Sequence, residues 1–167
     1  MHVHVKIILR MLENLTKLLI ERKLVISTAE SCTGGLISSL LTDVSGSSAF
    51  VKMNFVTYSN DAKHKILGVN NEILEKFGAV SEECAKEMAE GLARKTGCDV
   101  ALCTTGIAGP TGGSAEKPVG LCYIACCYKG QTTVKKIIED SNLSRIEMKQ
   151  KFAEHAINLA YKILTNK

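Results

Sequence analysis

The chain has 167 residues, a formal net charge of +4 and 46% hydrophobic residues, enough for one domain with a buried core and too mildly basic for a nucleic-acid groove. Tryptophan is absent and aromatics make up 5%, so stacking platforms for bases are scarce, and no apolar run approaches membrane-spanning length. Neither nucleic acid nor membrane is expected as a partner.

The first ten residues hold too short an apolar run for a signal peptide and no small-residue cleavage site. They are read as an extension, or a mis-called start, ahead of Met11, with a single domain over 11–167. Leu12, Leu15, Leu18 and Leu19 share one face of a helix predicted over 11–22. Leu24-Val25-Ile26 opens a strand over 24–28, and a helix is predicted over 33–42. Between them lies Ala29-Glu30-Ser31-Cys32-Thr33-Gly34-Gly35. A strand that hands over to a helix exposes the first helical N–H groups at the positive dipole end, and small residues admit a ligand close to them. That suits a phosphate, a carboxylate or a developing oxyanion. The same residues also read as a plain strand-to-helix turn with a hydroxyl cap.

A strand over 49–58 ends in Phe55-Val56-Thr57-Tyr58-Ser59-Asn60-Asp61-Ala62-Lys63, with short helices within 60–77. Ser81 caps a helix to Lys95, with Glu82 and Glu83 in its first turn and Gly97 ending it. A strand over 99–104 leads into Thr104-Thr105-Gly106-Ile107-Ala108-Gly109-Pro110-Thr111-Gly112-Gly113-Ser114, where four of eleven residues are glycine. Such a backbone wraps something small and polar or serves as a flexible surface loop, and it lacks both the Walker lysine and the dinucleotide fingerprint. Residues 119–128 read as a central strand, Thr132–Ile138 pairs with it through Lys129-Gly130, and Arg145–Leu164 closes the chain as an amphipathic helix. The fold class is α/β, a three-layer α/β/α sandwich with a mixed sheet. In such sheets ligands bind outside the carboxyl ends of the strands, so the ends near 28, 58 and 104 are expected to converge on one crevice.

Tyr58 and Lys63 are candidates to face that crevice. Lysine has an ordinary pKa near ~10.4 and serves as a base at neutral pH only when burial or a cationic neighbour lowers it; otherwise Lys63 is one more solvated surface charge. His2, His4, His64 and His155 fall in the terminal extension or in helical segments and show no zinc spacing. Seven cysteines form an odd set without a Cys-x-x-Cys pair. Cys103, Cys122, Cys126 and Cys127 sit in apolar strands as small hydrophobes, and a reducing cytoplasm is the expected location. Cys32 differs, because a helix start beside it would favour a thiolate, which makes it a rival nucleophile.

The segments Thr28-Ala29-Glu30-Ser31-Cys32-Thr33-Gly34-Gly35, Val44-Ser45-Gly46-Ser47-Ser48, Phe55-Val56-Thr57-Tyr58-Ser59-Asn60, Gly78-Ala79-Val80-Ser81, Thr105-Gly106-Ile107-Ala108-Gly109-Pro110 and Glu116-Lys117-Pro118-Val119-Gly120 occur in this order. Together they resemble the C-terminal domain of the competence/damage-inducible protein CinA, over residues from about 12 to 165. Longer members carry a separate N-terminal domain before this one. The resemblance implies a cytoplasmic serine amidohydrolase that converts nicotinamide mononucleotide (NMN) to nicotinic acid mononucleotide and ammonia, with a Ser/Lys dyad and neither metal nor cofactor. Carried over by position, Ser31 is the nucleophile and Lys63 the base, Tyr58 and Ser48 are polar supports or proton relays, and Ser48 is also a rival nucleophile. Glu30, Thr33, Gly34, Gly35, Thr105, Gly106, Gly109 and Arg145 are the corresponding substrate-binding positions. The chain departs from the family where Leu143-Ser144 replaces a Gly-Asp pair before Arg145, which weakens that residue's assignment to phosphate. A small-molecule nucleotide is the expected partner and a homo-oligomer the expected assembly. The competing reading is a non-catalytic nucleotide-binding or regulatory module, against which the joint presence of Ser31, Tyr58 and Lys63 argues, because binding alone needs no nucleophile-base pair.

Overall fold

The computed structural model describes residues 2–166, with side chains from Ile8 onward. Helix α1 (His2–Glu21) precedes strand β1 (Ile26–Glu30), helix α2 (Leu36–Thr42), a 3-10 turn (Ser47–Ala49) and strand β2 (Val51–Val56). Helices α3 (Asn60–Leu67), α4 (Asn71–Phe77) and α5 (Glu82–Thr96) then lead to β3 (Val100–Gly106). The hairpin β4 (Leu121–Tyr128) and β5 (Gln131–Ile138) and the helix α6 (Arg145–Thr165) complete the chain.

The five-stranded sheet has the order β2-β1-β3-β4-β5. Strands β2, β1 and β3 run parallel, whereas β4 and β5 pair antiparallel, so the sheet is mixed as expected. Because pleating sends alternate side chains to opposite faces, Ile26, Leu102, Ile124 and Cys126 join α1, α2 and α6 in one core, while Ala29, Ala101, Cys103 and Ala125 join α3, α4 and α5 in the other. In α1 the buried Leu12, Leu15 and Leu19 stand three and four residues apart and pack with α6 through Phe152, Ala156 and Ile157. Each such leucine contributes about 2 kcal/mol of burial. No helix among the described residues is long and apolar enough to cross a membrane.

Several boundaries differ from the sequence reading. Helix α1 begins at His2 rather than 11, continuing through the residues read as an extension. Strand β1 is displaced from 24–28 to Ile26–Glu30, because Lys23 takes a positive φ and Val25 donates its amide to Asp99 Oδ2 before the ladder starts. Helix α2 begins at Leu36 rather than 33, since Gly34 and Gly35 hold φ of 60° and 97° and cannot form a helical first turn. The caps at Ser81 and Gly97 stand where expected.

This order creates a switch point. The chain leaves β1 through α2 on one face to reach β2, then returns through α3, α4 and α5 on the other face to reach β3 on the opposite side of β1. A crevice opens between the carboxyl ends of β1 and β3, where open α/β sheets accept ligands.

Candidate active site

Lys63 is the least ordinary residue of the chain. Ser59 caps α3 by accepting from the Ala62 amide, which sets Lys63 one turn into the helix on the same face as Ile66 and Leu67. That face packs against α5, and the lysine is 1% exposed. Its Nζ donates to Ser31 Oγ at 3.0 Å and to the Thr57 carbonyl at 2.9 Å. No carboxylate pairs with it among the described residues. Burial therefore holds the amine below its ordinary pKa of 10.5, opposed only by the neighbouring thiols of Cys84 and Cys32. Cys84 is a weak opponent, because burial pushes its own thiol up to about 11.

Ser31 stands directly after β1 and is 8% exposed; its amide donates to the Thr104 carbonyl at 3.0 Å, extending the β1–β3 ladder by one bond. The Glu30 carbonyl accepts from the Thr57 amide at 2.8 Å, which ties the end of β1 to the segment that anchors Lys63. The Ser31 hydroxyl and the Lys63 amine are thus fixed by adjacent strand ends rather than by a mobile loop. A cavity of about 270 Å³ opens over them, walled by Ser31, Cys32, Tyr58, Lys63, Ala79, Val80, Arg145 and the segment from Thr105 to Gly109.

Thr105 is buried and donates its hydroxyl to the Ala79 carbonyl at 2.7 Å, which holds the 78–81 turn against the end of β3. Gly109 has φ of 70°, and a Cβ there would lie 2.5 Å from Val119 Cγ1. Arg145 donates through Nη1 to the Gly109 carbonyl at 2.6 Å and through Nη2 to Tyr58 Oη at 2.9 Å. The departure from the family pattern before Arg145 does not move it away from the cavity. Ser144 caps α6 and forms a capping box with Glu147, and Leu143 packs at the core margin, so Arg145 starts the helix at the cavity mouth.

Other positions singled out from sequence are not brought to the cavity. Glu30 is fully buried, and its carboxylate accepts from the amides of Gly35, Ile37 and Ser38 and from the Ser38 hydroxyl. The amides at the start of α2, expected to receive a ligand, are thus occupied by this side chain, and the dipole end that was to activate Cys32 already faces a carboxylate. Thr33 is buried and pairs with Thr104 Oγ1 at 2.8 Å. Gly34 and Gly35 shape the turn, and neither lines the cavity. Ser48 lies exposed in the 3-10 turn before β2, at the amino edge of the parallel strands, opposite the edge that carries Ser31.

Sequence reasoning missed the Thr57 carbonyl, Ala79 and Val80 of the cavity wall, and Cys122, whose Sγ lies 3.8 Å from that of Cys32. Lys63 was reached from its place just after the strand ending at Tyr58 and from the family resemblance, with a solvated surface charge as the competing reading. No local signal marks Cys122, which reaches the site through the β3–β4 pairing of Gly106 with Cys122.

Comparison with known proteins gives one consistent answer. The chain is 47% identical over 155 residues to a CinA-like protein of Chlorobium limicola, covering 91% of this chain and 36% of that protein. It spans about a third of the length of the curated relatives it matches. Among solved structures, the competence/damage inducible protein CihA from Agrobacterium tumefaciens is 41% identical with a TM-score of 0.91, covering 96% of both chains. A competence-damaged protein (CinA) superfamily protein from Escherichia coli is 33% identical with a TM-score of 0.87, covering 95% of this chain and 90% of that one. The family model of the CinA C-terminal domain matches residues 9–164. The chain belongs to the CinA C-terminal domain family.

Proposed function

We propose that this domain is a serine amidohydrolase that releases ammonia from the carboxamide of NMN, leaving nicotinic acid mononucleotide. The observation that carries the reading is the buried Lys63 amine 3.0 Å from Ser31 Oγ with no carboxylate to hold its charge. A neutral amine donates one N–H to the Thr57 carbonyl and turns its lone pair to the serine hydroxyl. Ser31 Oγ then attacks the amide carbon as its proton passes to Lys63. The amides of Cys32 and Ala108, both at the cavity wall, donate to no acceptor among the described residues and are available to the oxyanion. The proton returns from Lys63 to the leaving nitrogen, ammonia departs, and water repeats the cycle on the acyl-enzyme.

Arg145, braced by Tyr58 and the Gly109 carbonyl at the cavity mouth, supplies the cation for the nucleotide phosphate. Binding energy from that remote group positions the carboxamide at Ser31, so free nicotinamide is a poor substrate. The test is ammonia release from NMN, nicotinamide and glutamine, each with and without exhaustive chelation. NMN turnover that exceeds the other two and survives EDTA supports the reading. Equal rates on NMN and nicotinamide, or NMN bound without ammonia release, overturn it; the second result identifies a binding module.

A further inference from the structure

The mechanism leaves two neighbouring thiols unused, one of them at the cavity wall. Cys32 follows Ser31 directly, is 5% exposed and borders the cavity; its Sγ lies 3.8 Å from Sγ of the fully buried Cys122. All seven cysteines are free thiols. Cys103 and Cys126 are fully buried in the strands, and Cys84 is fully buried at the start of α5. We propose that Cys32 and Cys122 form an oxidation site, in which hydrogen peroxide entering the cavity converts the two thiols to a reversible intramolecular disulfide.

The geometry assigns distinct roles to the two sulfurs. Hydrogen peroxide is small enough for a cavity of about 270 Å³, and Cys32 is the member of the pair on its wall. Cys122 has no solvent access, and burial pushes its thiol well above the ordinary range, which suits a resolving rather than an attacking thiol. Cys32 sulfur attacks the O–O bond, forming S–O and releasing water after protonation, which gives a sulfenic acid. Cys122 sulfur then attacks Cys32 sulfur; S–S forms, S–O breaks, and the departing hydroxide leaves as water with the Cys122 proton. Two thiols lose two electrons and the peroxide becomes two waters. A dithiol reverses the bond by exchange.

A bonded S–S distance of about 2.05 Å requires the sulfurs to approach by ~1.8 Å. Cys122 is fixed in the β4 ladder opposite Gly106 and the Ser31 amide in the β1–β3 ladder, so the movement falls on Cys32 and the turn after it. The strain is passed to the adjoining Ser31 and shifts its Oγ from Lys63. The loss of turnover rests on the amidase reading, whereas the disulfide itself does not.

The experiment treats the reduced full-length chain with hydrogen peroxide, alkylates the remaining thiols and maps the peptides by mass spectrometry. The expected result is a cross-linked Cys32–Cys122 peptide with the loss of two hydrogens, removed by dithiothreitol. In Cys122→Ala the cross-link is absent and Cys32 advances to the sulfinic acid, which dithiothreitol does not reverse. NMN deamidation in the wild type should fall in proportion to the cross-link and return on reduction. Alkylation of both Cys32 and Cys122 after treatment, with oxidation confined to the more exposed Cys98, overturns the proposal whether or not the domain deamidates NMN. A mapped cross-link in a chain that releases no ammonia upholds the oxidation site and overturns the amidase reading alone.

Discussion

The Glu30 carboxylate accepts from Ser38 twice, from its backbone amide at 2.8 Å and its hydroxyl at 2.7 Å, while the amides of Gly35 and Ile37 donate to the second oxygen at 3.0 Å each. This buried side chain satisfies the start of α2 and ties the helix to the end of β1, one residue before Ser31. Glu30→Gln replaces one acceptor oxygen with an NH₂ group that faces backbone donors. The loss should be roughly 2–5 kcal/mol, since hydrogen bonds to buried charged groups are worth more than neutral ones and the orphaned donors stay buried. Urea unfolding checks this, and an unchanged midpoint would remove Glu30 as the organiser of the turn.

Ser31→Ala and Lys63→Met should each lower kcat by at least ~10³-fold, and the double variant should be scarcely slower than either, because nucleophile and base act on one proton. Circular dichroism of all three should match the wild type. Ser48→Ala should keep nearly full activity, given its place at the opposite edge of the sheet. A silent Ser48→Ala variant beside an active Ser31→Ala variant reverses the assignment of the nucleophile.

The pH dependence follows from the burial of Lys63, which lowers its pKa from 10.5. The base form is neutral, so kcat/KM should rise with pH and level off below the ordinary lysine range. Stability moves in the same direction. Between the lowered folded pKa and the ordinary unfolded one, the unfolded chain binds more protons, so folding gains with rising pH across that window. Below it the wild type carries the cost of a desolvated ammonium that Lys63→Met lacks. Lys63→Met should therefore gain most over the wild type at low pH, and the difference should shrink towards pH 10.5. Paired thermal melts at several pH values measure this, and a pH-independent difference contradicts a desolvated Lys63.

Much of this architecture is local information. Ser81 and Gly97 bound α5, Ser144 starts α6, and the hairpin through Lys129-Gly130 joins β4 to β5, each from residues a few positions apart. Ser31 and Lys63 were legible because each follows a strand whose carboxyl end borders the crevice and each falls on a motif of the family. What escaped depends on partners supplied by the fold. Glu30 caps α2 only after Gly34 and Gly35 adopt positive φ, so its sequence neighbourhood reads as a free anion site. Tyr58 and Arg145 meet across 87 positions, and Cys32 meets Cys122 across 90.

Arg145→Ala should raise KM for NMN by roughly 10- to 100-fold, the worth of a charge-assisted contact to phosphate, and change turnover of the phosphate-free riboside little. Arg145→Lys should restore only part of the loss, because a single ammonium cannot keep the Gly109 carbonyl and Tyr58 Oη while meeting an anion. Tyr58→Phe should have a smaller effect in the same direction. Steady-state kinetics on both substrates decides the point, and an equal loss on both would remove Arg145 from phosphate recognition.

Gly91 tests how far the packing of α5 sets the position of the Lys63 amine. Gly91 is buried in the middle of α5, and a Cβ on it would lie 1.9 Å from the Leu67 carbonyl oxygen, at the end of the helix that carries Lys63. Alanine is otherwise the better helix former by about 1 kcal/mol, so substitution opposes two effects. The clash wins, because it sets a Cβ against a backbone carbonyl and cannot be relieved by a rotamer change. Overpacking of this kind costs about 1–3 kcal/mol when the neighbouring element moves aside. That element is α3, and Lys63 lies one turn before Leu67. A displacement of about 1 Å at a positioned catalytic group costs on the order of 10²-fold in rate. Gly91→Ala should therefore remain folded with a lowered melting temperature and lose about 10²-fold in kcat with KM nearly unchanged, since the cavity mouth at Arg145 is untouched. A variant that loses stability and keeps its kcat would show that Lys63 is held by Ser31 and Thr57 alone.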